Sequence, residues 1–149
     1  MADIGFYHLL TMTLDRALPK LLERAVAGGA RVVVVAGSEE RVDHLNNLLW
    51  TYDDAAFLPH GASRDGNPAR QPVWLAASDE NPNGAKFVML VDGARADLAR
   101  YGRCFDIFDG NDEEAVAAAR RRWSEAKAAG HTLTYWQQTD KGWEKKAEA

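Results

Sequence analysis

RVVVVAGSEERVDHLNNLL, residues 31–49, holds in one stretch the alternation that decides the fold. Its four consecutive valines, Val32, Val33, Val34 and Val35, are β-branched and apolar at every position rather than every second one. That pattern belongs to a strand covered on both faces, as in a parallel sheet. Gly37-Ser38 interrupts the run. Ser38 is an N-cap type, and Glu39 and Glu40 suit the positive end of a helix. Val42, Leu45, Leu48 and Leu49 then recur at helical spacing.

The same order appears upstream. Residues 4–10 read as a first strand, Thr11 and Thr13 offer caps, and Leu14, Leu18, Leu21, Leu22 and Ala25 give a helical face that Gly28-Gly29 ends. Pro19 falls inside that helix and is expected to kink it or mark a later start. Strand–helix–strand–helix favours a parallel sheet with helices packed on it, an α/β fold. Downstream, residues 50–72 are long and mixed, with Trp50, Tyr52 and Phe57 among them; they either roof the core or form a partner surface. Residues 73–77, 87–91 and 104–108 read as further strands, and residues 95–103 as irregular chain or a short helix. Residues 132–137 close the sheet as an edge strand, and the polar residues 139–149 read as a frayed tail.

The helix from Glu113 to Gly130 carries the candidate surface. Ala115, Ala118, Ala119, Ala126 and Ala129 fall on one side, small enough for close packing on a sheet. Val116, Arg120, Trp123 and Lys127, spaced i, i+4, i+7 and i+11, form a second stripe beside the alanine face. A basic stripe with an indole in its middle suits binding; the competing reading is a half-buried Trp123 among solvated charges.

Composition narrows the function. The chain has 149 residues, 46% hydrophobic and 27% charged, enough for one domain with a core; its net charge of −4 argues against broad electrostatic binding to DNA. The one cysteine, Cys104, forms no internal disulfide and fits a cytoplasmic protein, and the start shows no signal peptide. No Walker loop or G-x-G-x-x-G follows a strand, and Glu39-Glu40 would repel phosphate after Gly37-Ser38. His8, His44, His60 and His131 show no metal-ligand spacing, and no nucleophile elbow is present. An α/β domain without a catalytic constellation points to a binding module rather than an enzyme.

Phe6-Tyr7, Arg31-Val32 with Ala36, Leu48-Leu49-Trp50, Phe57-Leu58-Pro59-His60, Gln71-Pro72-Val73, Leu90-Val91, Ala119-Arg120-Arg121-Arg122-Trp123 and Ala129-Gly130-His131-Thr132-Leu133 stand in an order that resembles the chi subunit family of bacterial DNA polymerase III. The resemblance runs from about Gly5 to Gln138 and implies a three-layer α/β/α domain over residues 1–138, Rossmann-like but without a nucleotide site. It implies a non-catalytic replication accessory with no cofactor or metal. Such a subunit binds the acidic, Phe-ending tail of the single-stranded DNA-binding protein, joins it to the clamp loader through the psi subunit or another clamp-loader-side protein, and meets DNA only indirectly and no membrane. Carried onto matching positions, the tail site falls on Arg120, Trp123 and Lys127, with Val116 on the same stripe, and the psi-side surface on Trp50 and Phe57. Trp123 replaces a common tyrosine, and Ser124 replaces a common lysine, which removes one charge. The alternatives are a small α/β enzyme, or a direct single-strand binder using Arg120–Arg122 with Trp136 and Trp143.

Overall fold

In a computed structural model of the chain, residues 2–52 and 58–149 are described. The elements run β1 (Asp3–Leu9), α1 (Leu14–Ala27), β2 (Val32–Val35), α2 (Glu39–Thr51), β3 (His60–Ala62), β4 (Val73–Ala76), β5 (Phe87–Leu90), β6 (Arg103–Asp109), α3 (Glu113–Ala128), β7 (Thr132–Thr139) and β8 (Gly142–Glu148). The strands form one sheet in the order β3-β4-β2-β5-β6-β1-β7-β8. Every pairing is parallel except β7 with β8.

The valine run lies near the middle of the sheet, buried on both faces. On one face α1 and α2 cover Tyr7, Leu9, Val32, Val34, Leu75, Met89 and Ile107. On the other, α3 lies over β6, β1 and β7 and covers Ile4, Phe6, Phe108 and Leu133. Among the described residues, that third layer has one α-helix. Over β2, β4 and β5 its place is taken by irregular chain carrying Ala85, Ala94, Leu98 and Tyr101. Asp79 fixes this roof by accepting from the Asp97 N–H at 2.7 Å and the Tyr101 hydroxyl at 2.9 Å.

Three local expectations change. Helix α1 runs unbroken through Pro19, which is buried in its second turn, where the missing N–H forfeits only the bond to the Asp15 carbonyl. Between α2 and β4 the described chain forms β3 and two 3-10 turns, Ser63–Asp65 and Pro68–Arg70. Residues 142–148 are a strand, not a frayed tail, so the sheet edge is β8 rather than β7. Gly142, at φ 131°, makes the tight return, and the Trp143 indole packs edge-on against Tyr7 with ring centroids 5.1 Å apart.

The turns that would hold phosphate in a nucleotide-binding relative of this fold are internally bonded. After β1, the N–H groups of Leu10, Thr11 and Met12 all donate to the side-chain oxygen of Gln138, at 3.0, 3.0 and 2.9 Å. After β2, the Gly37 N–H donates to Asp92, and Ser38 caps α2 by accepting from the Arg41 N–H at 3.2 Å. Among the described residues, no helix is long and apolar enough to cross a membrane.

Candidate functional site

Helix α3 begins at Asp112, whose carboxylate accepts from the N–H groups of Glu114 and Ala115. Its packing seam is Ala119, Arg122 and Ala126. Ala115 and Ala118 are half-buried, while Ala129 is exposed. The alanine face predicted from the sequence therefore narrows, and an arginine sits in its middle. Arg122 reaches under the helix to Asp106 of β6 with two parallel hydrogen bonds, Nε to Oδ2 at 2.6 Å and NH2 to Oδ1 at 2.9 Å. Burial pushes the Asp106 carboxyl up, opposed by the two bonds from Arg122. This is a buried, forked ion pair that locks α3 onto the sheet.

The other flank of α3 faces β7, and there the predicted stripe splits. Arg120 and Lys127 are exposed. Neither has an ion-pair partner among the described residues, whereas Arg95 is tied to Glu125 at 2.7 Å. Val116 and Trp123 are half-buried and pack against the core beneath α3. The Trp123 ring meets Phe6 edge-on at 5.3 Å and Tyr135 at 5.9 Å. Trp123 thus stands partly on the packing face rather than wholly beside it. The rise of about 1.5 Å per residue keeps Arg120 and Lys127 one turn to either side of it.

Three members of this flank escape a one-helix reading. His8, Phe108 and Tyr135 come from β1, β6 and β7 and pack ring against ring: His8–Phe108 at 5.2 Å, His8–Tyr135 at 5.8 Å, Phe108–Tyr135 at 6.1 Å. His8 Nδ1 lies 2.6 Å from the Tyr135 hydroxyl. Period-two alternation places Phe6 and His8 on one face of β1, but only the sheet order brings Tyr135 beside them. Burial lowers the His8 pKa from its ordinary value, and Arg120 lowers it further; the Gly110 backbone and Asp109 act the other way. Burial raises the Tyr135 phenol, and Arg120 counteracts this. The Arg120 charge is therefore felt at both side chains.

A second region lies at the far end of the sheet, on the opposite face. Trp50, in the last turn of α2, is 56% exposed. Its ring stands on buried His60, centroids 4.5 Å apart. His60 is held between the carbonyl oxygens of Leu58 at 2.7 Å and Asn46 at 3.2 Å. Tyr52 packs against the core, so of the three aromatics predicted here one roofs and one projects; Phe57 lies outside the described residues.

Trp136 and Trp143, the aromatics of the direct single-strand reading, both pack on Tyr7, at 6.4 and 5.1 Å, on the face away from α3. Cys104 is fully buried, its thiol pushed up to about 12 by burial, so it is a packing residue and not a nucleophile. Among the described residues no cluster of three or more His, Cys, Asp or Glu side chains is placed to hold a metal ion.

The family described as "DNA polymerase III chi subunit, HolC" matches residues 1–134. The chain is also 29% identical over 91 residues to a protein of Rickettsia prowazekii (strain Madrid E) named "Probable DNA polymerase III subunit chi". That match covers 61% of this chain and 55% of the relative, so the chain spans about half the length of the curated relative it matches. With the family match running from the first strand into β7, the chain belongs to the DNA polymerase III chi subunit family.

Proposed function

We propose that the protein is a non-catalytic adaptor of DNA replication. It binds the acidic C-terminal tail of the single-stranded DNA-binding protein on the β7 flank of α3. It meets a clamp-loader-side partner, psi or another protein, at the Trp50 end of the sheet, and Phe57 belongs by its sequence position to that second surface. A tail of this kind needs a guanidinium for its carboxylates, a further cation and an apolar ledge. The observation that carries the reading is the pairing of exposed, unbridged Arg120 and Lys127 with the half-buried Trp123–Tyr135 ledge between them, while Arg122 and Arg95 are already engaged. Val116 extends the apolar part of the same flank.

The test is a calorimetric titration with a synthetic acidic peptide ending in phenylalanine. Arg120→Ala is expected to weaken binding by on the order of 2 kcal/mol, about thirtyfold. Equal binding by parent and variant would remove the site from Arg120.

A further inference from the structure

The function proposed above uses Arg120, Trp123 and the Tyr135 ring but leaves His8 and the Tyr135 hydroxyl unexplained. His8 is a half-buried histidine set in an aromatic cluster, with its Nδ1 2.6 Å from the Tyr135 phenol oxygen. We propose that His8 and Tyr135 form a proton-controlled hydrogen-bond donor within the tail site, taking a carboxylate of the acidic peptide alongside Arg120. This rests on the α3 flank being the peptide site.

The geometry assigns the roles. The Gly110 backbone lies so close to the His8 ring that a side-chain carbon on Gly110 would stand 2.1 Å from Nε2 and 2.0 Å from the neighbouring ring carbon. Nδ1 is therefore the nitrogen turned to Tyr135. With His8 neutral and its proton on Nε2, Nδ1 accepts the Tyr135 O–H, and the phenol has no proton left for a ligand. When His8 takes a proton from solvent on Nδ1, the bond reverses. Nδ1–H donates to the phenol oxygen, and the phenol keeps its own proton, which is freed to donate to a carboxylate. The imidazolium adds one positive charge behind it. The one bond formed is Nδ1–H, its proton supplied by solvent, and one proton is taken up with each bound peptide.

The groups facing His8 agree with a site that waits for an anion. From α3 comes Arg120, which adds to burial in disfavouring a charge on His8; from β6 come Phe108 and Asp109, the latter favouring the charge; from β7 comes Tyr135; and β8 places uncharged Ala147 opposite Tyr135. An incoming carboxylate offsets the Arg120 charge at the moment it needs a second donor. Binding and protonation are then linked, and each favours the other to the same extent.

The experiment titrates full-length protein with the same synthetic peptide at pH 7.5 and pH 5.5, where the aspartates, with an ordinary pKa of about 3.9, stay ionised. The parent is expected to bind about fivefold tighter at pH 5.5. Tyr135→Phe keeps the ring and removes only the hydroxyl, so it should fold and lose most of the gain in affinity between pH 7.5 and pH 5.5. His8→Leu should be flat across the range. The His8 ring resonances, followed by NMR, should titrate at higher pH in the peptide complex than in free protein. A parent that binds equally at both pH values overturns the proton-controlled donor but leaves the tail site standing. A Tyr135→Phe protein that keeps the full gain shows that charge alone acts and overturns the reversal. A parent that binds at neither pH overturns both this inference and the tail reading beneath it.

Discussion

Arg120 and Arg122 stand two residues apart on one helix and have opposite fates. Arg122 points under α3 to buried Asp106, and its charge is spent on holding the helix down. Arg120 points to the β7 flank, exposed, with an aromatic ledge beside it and no ion-pair partner among the described residues. A helical wheel spaces neighbours about 100° apart, so a run of three arginines was bound to reach different surroundings. Which one becomes structural is decided by the strand below: among the described residues the buried carboxylate is Asp106 of β6, and it lies within reach of Arg122.

The largest expected effect tests the inner side. Arg122→Ala leaves the Asp106 carboxylate buried without a partner and should lower stability by about 3–5 kcal/mol in denaturant unfolding. Replacing both, with Asp106→Leu and Arg122→Met, should recover much of that loss, because the pair then no longer needs desolvating. A small effect of Arg122→Ala would erase the contrast between the two arginines.

Trp123 sits on the boundary and should show both behaviours. Half-buried against Phe6 and Tyr135, it should cost about 2 kcal/mol of stability on truncation to alanine, less than a fully buried ring. Tail binding should fall as well. Trp123→Tyr should restore most of both, since a tyrosine keeps a ring on Phe6. If Trp123→Ala unfolds as easily as expected but Trp123→Tyr recovers stability and not binding, the indole itself belongs to the site.

The smaller effect at His8 follows from its lowered pKa. A neutral His8 favours the folded state; that contribution is fully present above the unfolded value of about 6.5 and is lost as pH falls through the folded value. Unfolding measured from pH 7.5 to 5 should therefore show a stability loss in the parent that is reduced in His8→Leu. Parallel pH profiles would mean that His8 is not held neutral by its neighbours.

Much of this was legible in the sequence, and the reasons are physical. The valine run, the Ser38 cap and the leucine spacing of α2 are local signals, and the parallel sheet with packed helices follows from them. Arg120 and Lys127 were legible because exposure on a helix is periodic. Arg122 was not, since its placement depends on a carboxylate 16 residues away. His8 and Tyr135, 127 residues apart, meet only because β1 is inserted between β6 and β7. Strand β8 was missed because its alternation is nearly all charge; Trp143 was the one apolar anchor, and its partner Tyr7 lies at the other end of the chain.

The smallest expected effects separate the two surfaces. Trp50 lies in the last turn of α2 near β3, the first strand of the sheet order, while Arg120 and Trp123 lie over β1 and β7 on the other face. A ring this exposed, resting on one buried imidazole, contributes little to the fold, so Trp50→Ala should change stability by no more than about 0.5 kcal/mol. Its effect on tail binding should also vanish, because sites that share no contacts are additive to within about 0.5 kcal/mol. The informative measurement is a double-mutant cycle of Trp50→Ala with Arg120→Ala, read once with the tail peptide and once with the second partner recovered by pull-down. Independent surfaces require Trp50→Ala to weaken only the second partner and Arg120→Ala only the peptide, with no coupling in either titration. An adaptor holds both partners at once, so displacement of the second partner by the peptide, or loss of both interactions in either folded single variant, would make the two surfaces one and end the bridging mechanism.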